Sequence, residues 1–301
     1  MYPSNVISRV VCATVLAFAV SGVPALGDTS NIEDIGATER INYAGKLRML
    51  SQRMAAAACN LNARISPTDS RAILDAAGQE FATIADALEF GDPALGVIGE
   101  EKRRKTLVAI AALRQQLAPI NTARVTLLHD PTDFDAIATI DSQNMELLSR
   151  AKLLVSEITS QYSDPTAVLF ADALLIDIAG RQRMLTQKMS KEACLVWPHG
   201  TGETRQAQLS ATMHLFEISL LSLRDGLAEA GVKPAPTPEI HAGLDAIWAE
   251  WSHLKPDLEQ AVAGQNVPDA IRVKTFGALN VLLRDMNAVV GLYTEAGKTG
   301  L

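Results

Sequence analysis

The sequence predicts an all-α fold: two tandem antiparallel four-helix bundles. Three observations lead there. The apolar residues, 48% of the chain, are mostly alanine and leucine with only 5% aromatics, and both of those residue types favour helix. No segment alternates apolar and polar residues with β-branched enrichment, the signature of a strand. One stretch of the chain also recurs. Residues 41–61 read INYAGKLRMLSQRMAAAACNL and residues 176–196 read IDIAGRQRMLTQKMSKEACLV, with ten identities in 21 positions at an offset of 135.

The same offset pairs Phe81 with Phe216, Leu88 with Leu223, Gly91 with Gly226, Leu147 with Leu282 and Val155 with Val290. A tandem duplication explains this, with its boundary near Ser163, Asp164 and Pro165. Asp164 suits an N-cap and Pro165 the first helical position. The expected organisation is a signal peptide over 1–27, a first bundle over 28–163 and a second over 164–301.

The leader has Arg9, then an uncharged apolar run from Val10 to Val20, then Ala25, Leu26 and Gly27 as a small-residue cleavage site. Cleavage after Gly27 would place the mature protein in the periplasm or outside the cell. Past the leader no run is apolar enough to span a bilayer. In the first half, helices are expected over about 31–64, 70–90, 99–128 and 132–162. In the second half they are expected over about 166–196, 203–229, 238–262 and 267–296. The breaks carry Gly91-Asp92-Pro93, Asp130-Pro131, Trp197 to Gly200, and the proline-rich Lys233 to Pro238. Short connections favour antiparallel neighbours.

A formal net charge of −7 disfavours a duplex nucleic-acid partner. It leaves room for a local anion site built by arginines. Positions 3, 4, 7 and 11 apart share a helix face. One line on the first motif helix is Tyr43, Leu47, Leu50, Met54, Ala57 and Leu61, an apolar core stripe. A second is Ile41, Gly45, Arg48, Gln52, Ala55 and Cys59. In the other copy the stripe becomes Ile178, Gln182, Leu185, Met189, Glu192 and Val196, keeping two residues of six. The mixed line becomes Ile176, Gly180, Arg183, Gln187, Ser190 and Cys194, keeping five of six. A line made only for packing tolerates apolar exchange, so the better-kept line is the functional candidate.

Gly45 and Gly180 each cost their helix about 1 kcal/mol against alanine. Close approach of a backbone or a ligand would explain them. One turn on, Arg48 and Arg183 carry forks suited to a planar oxyanion. Gln52 and Gln187 can donate a further hydrogen bond, and Ser51 and Thr186 a hydroxyl. These eight residues are the expected ligand-binding set. The alternative is structural, with the arginines pairing carboxylates within or between bundles. Arg53 and Lys188, about 140° around the helix, are expected as rim charges.

Met49, Met54, Met184 and Met189 read as core filler. Cys59 and Cys194 are expected as buried free thiols, although a disulfide becomes possible if their α-carbons come within about 7 Å. The five histidines lack metal-ligand spacing. No cofactor motif and no catalytic constellation stands out, so no enzyme activity is expected.

INYAGKLRMLSQRM (41–54) and IDIAGRQRMLTQKM (176–189) resemble the PilJ/NarX-type sensory domain, the helical extracytoplasmic module of type IV pilus chemotaxis transducers and nitrate/nitrite sensor kinases. The resemblance implies a four-helix bundle per copy and a sensory role. In nitrate-sensing members the motif arginine binds the anion where two such helices face across a dimer. By position those arginines are Arg48 and Arg183, and a duplication could supply both helices from one chain. The nitrate sensors carry a lysine just before Ala-Gly, where this sequence has Tyr43 and Ile178. Family members continue into a membrane helix and a signalling domain. This sequence stops at Leu301 with neither, so the expectation is that it does not signal across a membrane by itself, with a membrane receptor or signalling protein as a possible partner.

Overall fold

The structure, a computed structural model, describes residues 36–162, 170–197 and 202–299. The leader expected over 1–27, the junction near Ser163 to Pro165 and residues 198–201 of the break after Trp197 lie outside the described residues. The helices are α1 (Ala37–Asn62), α2 (Pro67–Phe90), α3 (Arg104–His129), α4 (Phe134–Tyr162), α5 (Phe170–Val196), α6 (Glu203–Asp225), α7 (Pro238–Val262) and α8 (Asp269–Thr299). Among the described residues there is no strand beyond two isolated bridges. The all-α expectation therefore holds.

Within each half the four helices pack as a ring, α1 to α4 and α5 to α8, and α1 packs broadly on α5. The duplication reaches into the loops. Gly91 and Gly226 end α2 and α6 with φ near +83° and +84°, a region that glycine enters at little cost. A short 3-10 turn follows each, Pro93–Leu95 and Ala228–Ala230. Each turn is closed by a bridge, Asp92 to Val97 and Leu227 to Val232. The expected sixth helix, 203–229, is thus too long. It stops at Asp225 because Gly226 leaves the helical region.

Pro67 starts α2 and Pro238 starts α7, at positions where a missing N–H is harmless. The Thr237 hydroxyl accepts the Ile240 N–H at 3.2 Å and caps α7. The stripe residues Leu47, Leu50, Met54, Ala57 and Leu61 are all buried. They meet Phe81, Leu88, Leu113 and Leu147 in the first core. Phe216 packs on Trp251 in the second, with ring centroids 4.9 Å apart. The polar replacements in the second stripe find one local partner each. Buried Gln182 donates to the Phe216 carbonyl at 3.2 Å, and Glu192 pairs with Lys188.

Both lines of α1 are buried except for half-buried Tyr43 and Cys59. The helix is sandwiched, with its own bundle on one side and α5 on the other. That is why its sequence shows no clean polar face.

Cys59 and Cys194 form a disulfide, with α-carbons 6.2 Å apart. This corrects the expectation of free thiols: the two residues occupy matched positions on helices that lie side by side. Gly45 and Gly180, three to four turns away, also face one another through Arg48 and Arg183. Equivalent residues meet at both levels. The two helices must therefore run parallel, related by a pseudo-twofold axis along their length.

Candidate functional site

The facing of α1 and α5 gathers the better-kept line of each copy around that axis. A Cβ built on Gly45 would lie 3.4 Å from Arg48 Nη2 and 3.6 Å from Arg183 Nη2. One built on Gly180 would lie 3.3 Å from Arg183 Nη2 and 3.5 Å from Arg48 Nη2. Among the described residues, no other side chain or backbone of a packed neighbour comes within 4 Å of either position. The glycines are therefore not there to admit a neighbouring backbone. They clear the space into which both guanidinium groups point.

Each arginine reaches across to the opposite helix. Arg48 Nη1 pairs with Asp177 Oδ1 at 2.7 Å, and Nη2 donates to the Asp177 carbonyl at 3.3 Å. Arg183 Nη2 donates to Asn42 Oδ1 at 2.9 Å and to its carbonyl at 3.3 Å. Asn42 and Asp177 are equivalent positions, 135 residues apart, so the geometry is symmetric and the charge is not. Arg183 Nη1 also approaches Asn287 Oδ1 at 3.4 Å. The equivalent of Asn287 beside Arg48 is Lys152.

The electrostatics follow. Arg48 and Arg183 are 4% and 3% exposed. Burial, then the facing Arg48, pushes the Arg183 guanidinium down to about 9. It still carries its proton at neutral pH. Burial also lowers Arg48, against the pull of Asp177. Burial opposes the charge of Asp177, but Arg48 and Arg181 outweigh it and hold the carboxyl below its ordinary value. Arg181 Nη2 bonds Asp177 Oδ2 at 2.7 Å, so the carboxylate that pairs with Arg48 is shared with another cation. Among the described residues, the Nε donors of Arg48 and Arg183 are buried without a hydrogen-bond partner. Such a cluster of desolvated, like-charged donors favours a negative group among them.

The remaining expected residues divide. Ser51 and Thr186 turn their hydroxyls back onto the carbonyls of Arg48 and Arg183, at 2.7 and 2.8 Å. Their protons are engaged within their own helices. Gln52 is fully buried, with Nε2 3.5 Å from Asn144 Oδ1. Gln187 Oε1 accepts from Arg53 at 3.2 Å, and its Nε2 is a buried donor without a partner among the described residues. Arg53 is no rim charge. It crosses from α1 to Gln187 and, at 2.9 Å, to Asn280 Oδ1 of α8. Lys188 likewise turns inward, to Thr212 and Glu192.

Asn42, Asp177 and Asn287 were missed by sequence reasoning. A signal existed for the first two, both polar and both at matched positions. Their partner lies on the other copy's helix, which no spacing within one helix reveals. A groove of about 780 Å³ between α4 and α5 opens onto Arg48 and Asp177, flanked by Lys152 and Arg181. The matching seam between α1 and α8 is bridged by Arg53 and Asn280.

Comparison with known families agrees with this duplicated architecture. The model of the type IV pili methyl-accepting chemotaxis transducer N-terminal domain, PilJ, matches residues 34–134 and 166–274, one segment in each half. The chain belongs to the PilJ family. Methyl-accepting chemotaxis protein McpN of Pseudomonas aeruginosa is 33% identical over 118 residues. That stretch is 39% of this chain and 21% of McpN, so the chain spans about a fifth of that relative. PilJ domains are sensory modules of chemotaxis transducers, and here two copies face each other within one chain. Among the described residues no helix is long and apolar enough to cross a membrane.

Proposed function

We propose that this PilJ protein is an extracytoplasmic sensory module that binds a small oxyanion, nitrate or nitrite, between Arg48 and Arg183. The observation that carries the reading is the pair of glycines whose only close neighbours from packed elements, among the described residues, are the two guanidinium ends. A trigonal oxyanion there would accept from both forks, a geometry that arginine serves well. It would offset the mutual repulsion of two buried cations, of which Arg48 alone pairs directly with a carboxylate among the described residues. Asn42 and Asp177 would hold the forks in place, while Gln52 and Gln187 would line the ends of the site. Tyr43 and Ile178 stand where nitrate sensors carry lysine, so the charge of the site would come from the arginines alone. The disulfide between α1 and α5 suits an oxidising compartment such as the periplasm. Signal output would pass to a membrane receptor or signalling partner that contacts the bundle.

The test is calorimetric titration of the purified protein with nitrate, nitrite and chloride, repeated on Arg48→Ala and Arg183→Ala. Saturable heat with nitrate or nitrite, lost in both variants, supports the reading. Absence of heat with every oxyanion overturns it.

One observation favours a second, purely structural reading. The Arg48 to Asp177 ion pair is buried and joins the two halves. On that reading the arginines staple α1 to α5 and no anion binds. Both variants would then melt lower than the parent by similar amounts, with no response to nitrate.

A further inference from the structure

Away from the facing arginines, a pocket of about 300 Å³ lies among α1, α4, α5 and α6. This is at the lower end of small-molecule sites, which run from about 300 Å³ upward. Its walls are mostly apolar, including Ala55, Ala58, Ile137 and Leu195, and the Cys59–Cys194 disulfide forms one side. Lys191 lines it, although only 5% of the residue is exposed. Its ammonium donates to Asn144 Oδ1 at 3.0 Å and approaches Met145 Sδ at 3.4 Å. Both partners are neutral. No carboxylate lies within ion-pair distance among the described residues. The nearest acidic influences are Glu192, which pairs with Lys188, and Asp141 on the pocket wall. Asn144 is fixed in this role, because its amide nitrogen donates to the carbonyls of Ile140 and Asp141 at 3.0 and 2.5 Å. Its oxygen must therefore face Lys191. Arg205 adds a second cation at the wall.

A buried ammonium satisfied only by neutral acceptors is costly to retain. Packing does not require it: the equivalent position in the first half is Ala56, and Arg205 corresponds to Ser70. The cations belong to this pocket alone. The apolar walls exclude a fully hydrated inorganic ion as the best occupant and leave room for a carbon skeleton.

We infer that this pocket is a second ligand site, one for a small organic monocarboxylate whose carboxylate pairs with Lys191 and whose apolar body lies against Ala55, Ala58 and Ile137. It is separate from the facing arginines and does not depend on their binding an anion.

The probe is benzoate, with benzamide as its neutral isostere, titrated by calorimetry and by amide chemical-shift mapping on the full chain. Benzoate is expected to bind saturably, with shifts centred on Lys191, Ala58 and Ile137, and benzamide is not. Lys191→Met should weaken benzoate by at least about tenfold, the loss of a charge-assisted contact. That variant removes a buried charge, so it is expected to fold. Arg205→Gln should weaken benzoate less. Arg183→Met should leave benzoate binding within about twofold, since distant sites act independently. No benzoate binding to the parent chain, equal binding of benzamide, or full binding to Lys191→Met would each overturn the inference.

Discussion

Arg48 and Arg183 are equivalent by the repeat and face each other across α1 and α5, yet Arg48 meets a carboxylate, Asp177, and Arg183 meets an amide, Asn42. A symmetric scaffold thus holds an asymmetric charge. The two arginines should respond differently to removal.

Replacing Arg48 with methionine strips Asp177 of one of its two cations. Asp177 keeps Arg181, so the loss should fall below the full penalty for a broken buried pair, at about 1–3 kcal/mol. Replacing Arg183 with methionine leaves only neutral amides behind and removes a repelled, desolvated charge. It should stabilise the free protein by about 1 kcal/mol. Urea unfolding of both variants without added anion checks the opposite signs.

Gly45→Ala and Gly180→Ala isolate the space between the forks. Each restores helix propensity worth up to about 1 kcal/mol. The new methyl groups meet only the flexible guanidinium ends, at 3.3–3.6 Å. Stability should hold or rise, while nitrate affinity falls by about tenfold because the methyl occupies the anion's place. Affinity by calorimetry and stability by denaturant melts, taken on the same samples, separate the two effects.

The disulfide closes a loop with a sequence separation of 135. In the chain-entropy limit that contributes about 5 kcal/mol. Reduction, or Cys59→Ser with Cys194→Ser, should lower the melting temperature and loosen α1 from α5 at that end. Hydrogen exchange at residues 55–62 and 190–196 should rise first.

Lys191 gives a pH signature. Burial, opposed by Glu192, lowers its ammonium to about 8. In the unfolded chain a lysine titrates near 10.4. Between those values the unfolded state binds more protons, so the stability of the parent rises with pH from about 8 to about 10.4. Below about 8 the penalty for the buried charge is complete, on the order of 3 kcal/mol. Lys191→Met lacks this dependence. The stability gap between variant and parent should therefore narrow between pH 7 and pH 10, measured as urea midpoints. A constant gap would contradict the assignment.

The helical fold and the duplication were legible because they rest on composition, breakers and self-similarity. Even the error at the end of α6 was correctable, since Gly91 had already been aligned with Gly226. The motif line was legible because its Gly, Arg and Gln were kept while the stripe drifted. What could not be read was which surface each line faced. Arg53 looked like a rim charge from its angle on α1, and only the packing of α5 and α8 turns it inward. Asn42 and Asp177 contact arginines more than 100 residues away in sequence, and the disulfide depended on the same unseen packing. Lys191 carries no signal in the sequence, because its burial depends on helices from both halves closing around it.

The most direct test compares thermal melts of the parent and Arg183→Met with and without nitrate. A bound ligand at about 100 times its dissociation constant adds about 2.7 kcal/mol to the stability of the protein that binds it. The variant should melt above the parent without nitrate and below it at saturating nitrate, so that the two curves cross. If nitrate leaves the order unchanged, or shifts both proteins equally, the facing arginines are not an anion site.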